Sequence, residues 1–166
     1  MWHLLIPPIM TLLDDFEVRF KLQGVLVVHE MLQHVPKGLM KRTGINELIH
    51  SVGSDCSLRS SFLTSQVCFQ SLRNSLSHLQ NAETPQLLRS AISTSISLTL
   101  LSTTVDESKP SSERFHQLSS LLGEGIISGI WLYAEDKPQV VLATFDSLPP
   151  LLGALGIGTV RFLKVS

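Results

Sequence analysis

The stretch Leu12-Leu13-Asp14-Asp15-Phe16-Glu17-Val18-Arg19-Phe20-Lys21-Leu22 constrains this chain more than any other. An apolar helix end runs into an acidic break, and Val18-Arg19 then opens a second, longer apolar helix. Two antiparallel helices joined by a tight turn are the building unit of an α-solenoid. From Val18 to Leu32 the apolar residues fall at Val18, Leu22, Val25, Leu26 and Leu32, with His29 on the same face. Those are helical spacings, and strand alternation is absent. Asp14 or Asp15 is expected to accept from the free N–H groups at the helix start and to favour its positive end. Pro36 and Gly38 are expected to stop the helix.

A second pair follows, from Ile45–His50 continued by Ser71–Gln80, through a turn at Asn81–Pro85, into a helix ending near Leu101. Thr84 is the expected N-cap and Pro85 the first helical residue. The inward face of that helix reads Leu87, Leu88, Ala91, Ile92, Ser95 and Leu98. Its threonines weaken intrinsic helicity, so packing must supply the stability. Residues 105–112 are polar and hold a proline, which predicts a loop. A third pair is predicted from Glu113 to about Ala134 and from Pro138 to about Leu155, with Gly156-Ile157-Gly158 breaking the chain again. The turns near Asp14, Asn81 and Asp136 are spaced 67 and 55 residues apart, long for HEAT-type repeats of about 40–47.

The segment Val52–Gln70 accounts for the first excess. It carries both cysteines, Cys56 and Cys68, and five serines, and it shows no sustained apolar period. Without its 19 residues the spacing falls to 48. It reads as an irregular insert of one of two kinds. Val52 and Gln70 can be encoded by donor-like and acceptor-like codons, which suits a translated intron, as does the donor-like coding of Val165-Ser166. The other kind is a serine-rich surface loop.

Composition narrows the function classes. The 166 residues can form one domain with a real core. Charged residues make up only 16%, against about 25% in typical globular domains, and the net charge is -1. No general basic field draws in nucleic acid, and Lys41-Arg42, the only adjacent basic pair, reads as a solvated helix end. Two cysteines without a CxxC motif make no disulfide framework, so a reducing compartment is expected. The apolar start Met1–Pro8 lacks a basic leader region and a cleavage site, and no uncharged apolar run reaches the length of a membrane span.

No catalytic constellation appears. The six histidines are scattered, with neither HExxH nor a cluster, so no metal or other cofactor is expected. Gly123-Glu124-Gly125-Ile126-Ile127-Ser128-Gly129 imitates a GxGxxxG dinucleotide loop, but that loop needs a preceding strand, and Leu118–Leu122 is helix-like. Gly123, Gly125 and Gly129 are expected instead to allow close helix–helix contact. Gly38–Gly44 lacks the order of a phosphate loop, and there is no GxSxG elbow. Trp131 and Tyr133 could anchor a partner, though a tryptophan plugging the gap between repeats is the favoured reading.

Several strings, in order, resemble the fungal branch of the Tel-two-interacting protein two family: LLDDFEVRFKLQGV (Leu12–Val25), HVPKGLMKRTGINELI (His34–Ile49), AETPQLLRSAI (Ala82–Ile92), LLGEGIISGIWLY (Leu121–Tyr133) and ALGIGTVRFLK (Ala154–Lys164). Asp14, Asp15, Val18, Arg19, Leu22 and Gly24 carry the HEAT-like part of the likeness. The resemblance implies a non-catalytic α-solenoid scaffold of the TTT complex, with the Tel-two and Tti-one proteins as partners. That complex works with the Hsp-ninety chaperone in maturing phosphatidylinositol-3-kinase-related kinases, and it implies a cytoplasmic and nuclear location. The family offers no catalytic residues to carry over. Its members are longer, so the chain is expected to be a fragment. The expected fold is all-α, a partial HEAT-like solenoid over 1–166. The competing readings are a HEAT-type trafficking adaptor and a nucleotide-binding enzyme fragment.

Overall fold

The computed structural model describes residues 2–42, 81–103, 112–132, 134, 136–156 and 159. The first hairpin joins α1 (Trp2–Asp14) to α2 (Val18–His34). A short α3 (Lys37–Arg42) follows, then α4 (Thr84–Ser102). The third hairpin begins with α5 (Ser112–Ser120), which runs without a break into a π-helical segment (Leu121–Trp131). It closes with α6 (Pro138–Leu155). Among the described residues there is no strand, and the fold is all-α and solenoid-like. The predicted insert at 52–70, the helix predicted through 45–80 and the loop predicted over 105–111 lie outside the described residues. Ser112, placed in that loop by its polarity, begins α5.

The helices pack in two layers. α2, α4 and α6 lie side by side, with α4 in the middle, while α1 rests on α2 and α5 on α6 and α4. One core runs through them, from Ile9 and Leu13 of α1, through Val25 and Val28 of α2 and Leu88 and Ile92 of α4, to Leu118, Ile126, Ile130 and Leu151. A smaller cluster of Ile6, Met40, Leu98 and Leu101 ties α3 to α1 and α4. Each such side chain contributes on the order of 1.5–3 kcal/mol when fully buried.

The middle position of α4 explains its sequence. Leu87, Leu88, Ala91, Ile92, Thr94, Ser95, Ile96, Leu98, Thr99 and Leu101 are all buried, so the apolar face is wider than one stripe. Small residues let two neighbours approach, and packing offsets the weak helicity of serine and threonine. The hydroxyls mostly turn back on their own helix. Thr94 Oγ1 donates to the Ser90 carbonyl at 2.7 Å, and Thr103 Oγ1 donates to the Thr99 carbonyl. Thr84 Oγ1 and Ser95 Oγ are buried without a hydrogen-bond partner among the described residues.

Local signals at the helix ends differ in detail from expectation. Asp15 does not cap α2; its carboxylate accepts from the Glu17 N–H at 2.8 Å, and Glu17 is the N-cap residue without a side-chain cap bond. Thr84 is likewise the first helical residue of α4 and no cap, because its hydroxyl is turned into the core. There Asn81 Oδ1 accepts from the Glu83 N–H at 2.9 Å. The two turns therefore share one device, an Asp or Asn side chain folding over the backbone three residues before the helix begins. The spacing Asp15-Phe16-Glu17 and Asn81-Ala82-Glu83 is visible in the sequence. Gly38 does not end α2; α2 stops before Pro36, and Gly38 lies inside α3. Gly156 does end α6, with φ +57°, a conformation that glycine adopts without steric cost.

Candidate functional site

The repeat residues of the first hairpin divide into a packed set and a solvated set. Val18 and Leu22 are buried against the core, and Gly24 is buried where α2 crosses α1. A Cβ at Gly24 would sit 3.1 Å from Leu12 Cβ and from Leu13 Cγ and Cδ2. That glycine sets the distance between the two helices. Asp14 and Arg19 are exposed and are not brought together by any described contact, so the aspartate and arginine of the repeat motif form no ion pair here.

Lys21, on the buried side of α2, is not singled out by periodicity. Burial strips its amine of water and lowers its pKa below 10.5, while the charges of Asp14 and Asp15 act in the opposite direction. A lysine with a depressed folded pKa binds fewer protons folded than unfolded just below 10.5. Folding therefore gains stability as the pH rises from the folded value towards 10.5.

Between α2 and α4 the contact includes one polar link. His29 Nδ1 lies 3.3 Å from Thr94 Oγ1. The only hydroxyl proton of Thr94 is committed to the Ser90 carbonyl, so His29 must be the donor through Nδ1–H. Between α4 and α6 the link is ionic. Arg89 Nη2 lies 2.9 Å and Nε 3.1 Å from Asp146 Oδ2, both side chains about half exposed. Arg114 of α5 reaches back to Thr103, donating from Nε to its hydroxyl at 3.0 Å and from Nη2 to its carbonyl at 3.2 Å. A cation at the C-terminal end of α4 suits the negative end of the helix.

Gly123, Gly125 and Gly129 stand inside the π segment, which continues α5. No strand precedes them and no helix begins at them, so the geometry of a dinucleotide loop is missing. The close helix–helix contact expected of them is also not what Gly123 and Gly129 provide. A Cβ on Gly123 would meet nothing within 4 Å. One on Gly129 would lie 2.8 Å from the carbonyl oxygen of Glu124, five residues back on the same helix. Gly129 is thus a requirement of the wide π winding, and Gly125 is simply buried.

Trp131 is packed against the main core, and its polar and ring contacts lie within its own hairpin. Its Nε1–H donates to Thr144 Oγ1 at 2.7 Å, and the Thr144 hydroxyl donates in turn to the Val141 carbonyl at 2.7 Å. The indole also stacks on Phe145, with ring centres 5.0 Å apart and planes 23° apart. It joins the π segment to α6 within one hairpin. Tyr133 lies outside the described residues. Among those described, no three His, Cys, Asp or Glu side chains converge as metal ligands would. None of the described helices is long and apolar enough to cross a membrane.

The feature that periodicity overlooks is the outer side of α6. Leu142, Phe145 and Leu152 are large, apolar and exposed, and Pro138 and Pro149 continue their row. The signal is present in the spacing of these residues, but only a known inward face reveals which row faces out. No match was found among curated proteins or among solved structures. The model of the Tti2 family matches residues 1–60 and 51–166, which together take in the whole chain. With the all-α, solenoid-like layers described above, this chain belongs to the Tti2 family.

Proposed function

We propose that the chain is a non-catalytic scaffold of the TTT complex, built from HEAT-like hairpins, that binds homologues of the Tel-two and Tti-one proteins. Through that assembly it would assist the Hsp-ninety-dependent maturation and stability of phosphatidylinositol-3-kinase-related kinases, in the cytoplasm and nucleus. Membership of the Tti2 family supports a scaffold role of this general kind. The observation that carries the reading is the layered stack of α2, α4 and α6, a surface built for docking helices side by side. Extended stacks of helix pairs act by burying apolar area against partners, and only the surplus over the cost of association appears as affinity.

The segment Val52–Gln70 belongs to this proposal as an insert that the scaffold does not need, whether it is translated intron or surface loop. The test is co-expression of the tagged full chain with the Tel-two and Tti-one homologues, followed by affinity purification and gel filtration. Co-elution of all three is expected, with or without residues 52–70. Recovery of neither homologue would overturn the reading, and recovery of trafficking-coat components instead would favour an adaptor.

A further inference from the structure

α5 is wound as an ordinary α-helix, and it runs into Leu121–Trp131, which is π-wound over all 11 residues. Such windings are rare and mostly a single turn long, so this one calls for a cause in its residues. The cause lies in where each winding sends the large side chains. Leu118 of α5 is fully buried and marks the direction of the core. Suppose the α winding of α5 continued at about 100° per residue. Gly125 and Gly129 would then fall within about 20° of Leu118, while Ile126, Ile130 and Trp131 would turn about 80°, 120° and 140° away. At about 4.4 residues per turn from Leu121 onwards, those three return to within about 45° of Leu118. The observed burial follows the second pattern. Ile126 and Ile130 are in the core, Trp131 packs against it, and Glu124 and Ser128 are exposed. Gly129 permits the arrangement, since a Cβ there would lie 2.8 Å from the Glu124 carbonyl oxygen.

A shorter helix would serve the same core. With Glu124 left out, an unbroken α-helix would bring Leu122, Ile126 and Ile130 within about 40° of Leu118. Only Trp131 would stay off that face, about 120° away and out of line with Thr144 and Phe145. We infer that Leu121–Trp131 carries one residue more than its core face needs, and that the wide winding is a device that uses this surplus to swing Trp131 onto α6. Winding and clasp are one cooperative unit. The indole's bond to Thr144 and its stack on Phe145 hold the wide turns, and the wide turns present the indole. The inference concerns how the third hairpin closes, and it does not depend on the scaffold reading.

The test deletes Glu124 from the full chain and adds Gly129→Ala to both the parent and the deletion. All four proteins carry Trp2→Phe, which leaves Trp131 as the sole tryptophan to report. With Glu124 deleted, the helical circular dichroism and a cooperative melt should persist. The Trp131 emission should shift to the red, and its quenching by acrylamide should at least double. Gly129→Ala should lower the melting temperature of the parent by about 5 °C or more, because the added Cβ has no room in the wide winding. In the deletion the same substitution should raise it by about 2–4 °C, as alanine for glycine does inside an α-helix. Loss of the helical spectrum on deletion would show that Glu124 is not surplus, and the inference would fall. A folded deletion with unchanged Trp131 emission would show that the winding does not place the indole. An effect of Gly129→Ala with the same sign in both backgrounds would equally overturn the inference, since it would separate Gly129 from the winding.

Discussion

The first and third hairpins have the same architecture and hold their two helices together differently. In the first, α1 and α2 touch across Gly24, and the contact is apolar with no room to spare. In the third, the π segment and α6 are held by Trp131, through a hydrogen bond to Thr144 and a stack on Phe145. A glycine crossing is fixed by the absence of atoms, so it tolerates no addition. An aromatic clasp is fixed by atoms that are present, so it degrades in steps as they are removed. Both hairpins also carry a Pro-Pro pair inside a helix, Pro7-Pro8 in α1 and Pro149-Pro150 in α6. Each proline lacks the N–H that would bond four residues back, so packing must keep those helices in place.

The comparison can be broken most directly at the crossing. Gly24→Val would force two methyl groups into a gap where Cβ alone comes to 3.1 Å of three atoms. It should destabilise the chain by about 2 kcal/mol, the usual scale of overpacking, measured by urea unfolding. A change below about 0.5 kcal/mol would show that α1 simply moves away.

Trp131→Phe tests the clasp. It keeps an aromatic ring for Phe145 but removes the donor to Thr144, so about 1 kcal/mol should be lost in the same assay. A loss as large as that at Gly24 would mean that the two hairpins are equally intolerant. Gly153→Ala sharpens the contrast from the other side. A Cβ there meets nothing within 4 Å, and the residue sits within α6, so stability should rise by about 0.5–1 kcal/mol.

Arg89→Ala should cost only a few tenths of a kcal/mol, because exposed ion pairs are worth little, and that loss should vanish in molar salt. The weakest expected signal is at Lys21 in the first hairpin. Stability of the wild type should climb with pH on the approach to 10.5, and Lys21→Met should flatten that part of the profile. An unchanged slope in the variant would assign the climb to other groups.

Much of the architecture is legible in the order of residues alone. Val18, Leu22 and Val25 declare a buried helical face by their spacing, and all three are in the core. Pro138 and Gly156 bracket α6 because a proline suits the first helical position and a glycine the reversal beyond the last. The turn at Asp15 is legible as an acidic break, although its bond goes to Glu17 and not to the start of α2. The outer side of α6 is less legible. Every residue of the α6 row is apolar, which by itself predicts burial, and only the fold shows that Leu142, Phe145 and Leu152 are exposed.

By itself the sequence determined the helices of the first and third hairpins, α4, their order and the family, because periodicity, prolines, glycines and ordered strings act over a few residues at a time. Only the tertiary structure decided that Trp131 clasps its own hairpin, that Gly129 serves the π winding and that α6 keeps a bare apolar side. Those outcomes depend on how each helix is rotated about its axis against its neighbours. That rotation is set by the sum of many contacts between residues far apart in the chain, such as Arg89 with Asp146 and His29 with Thr94.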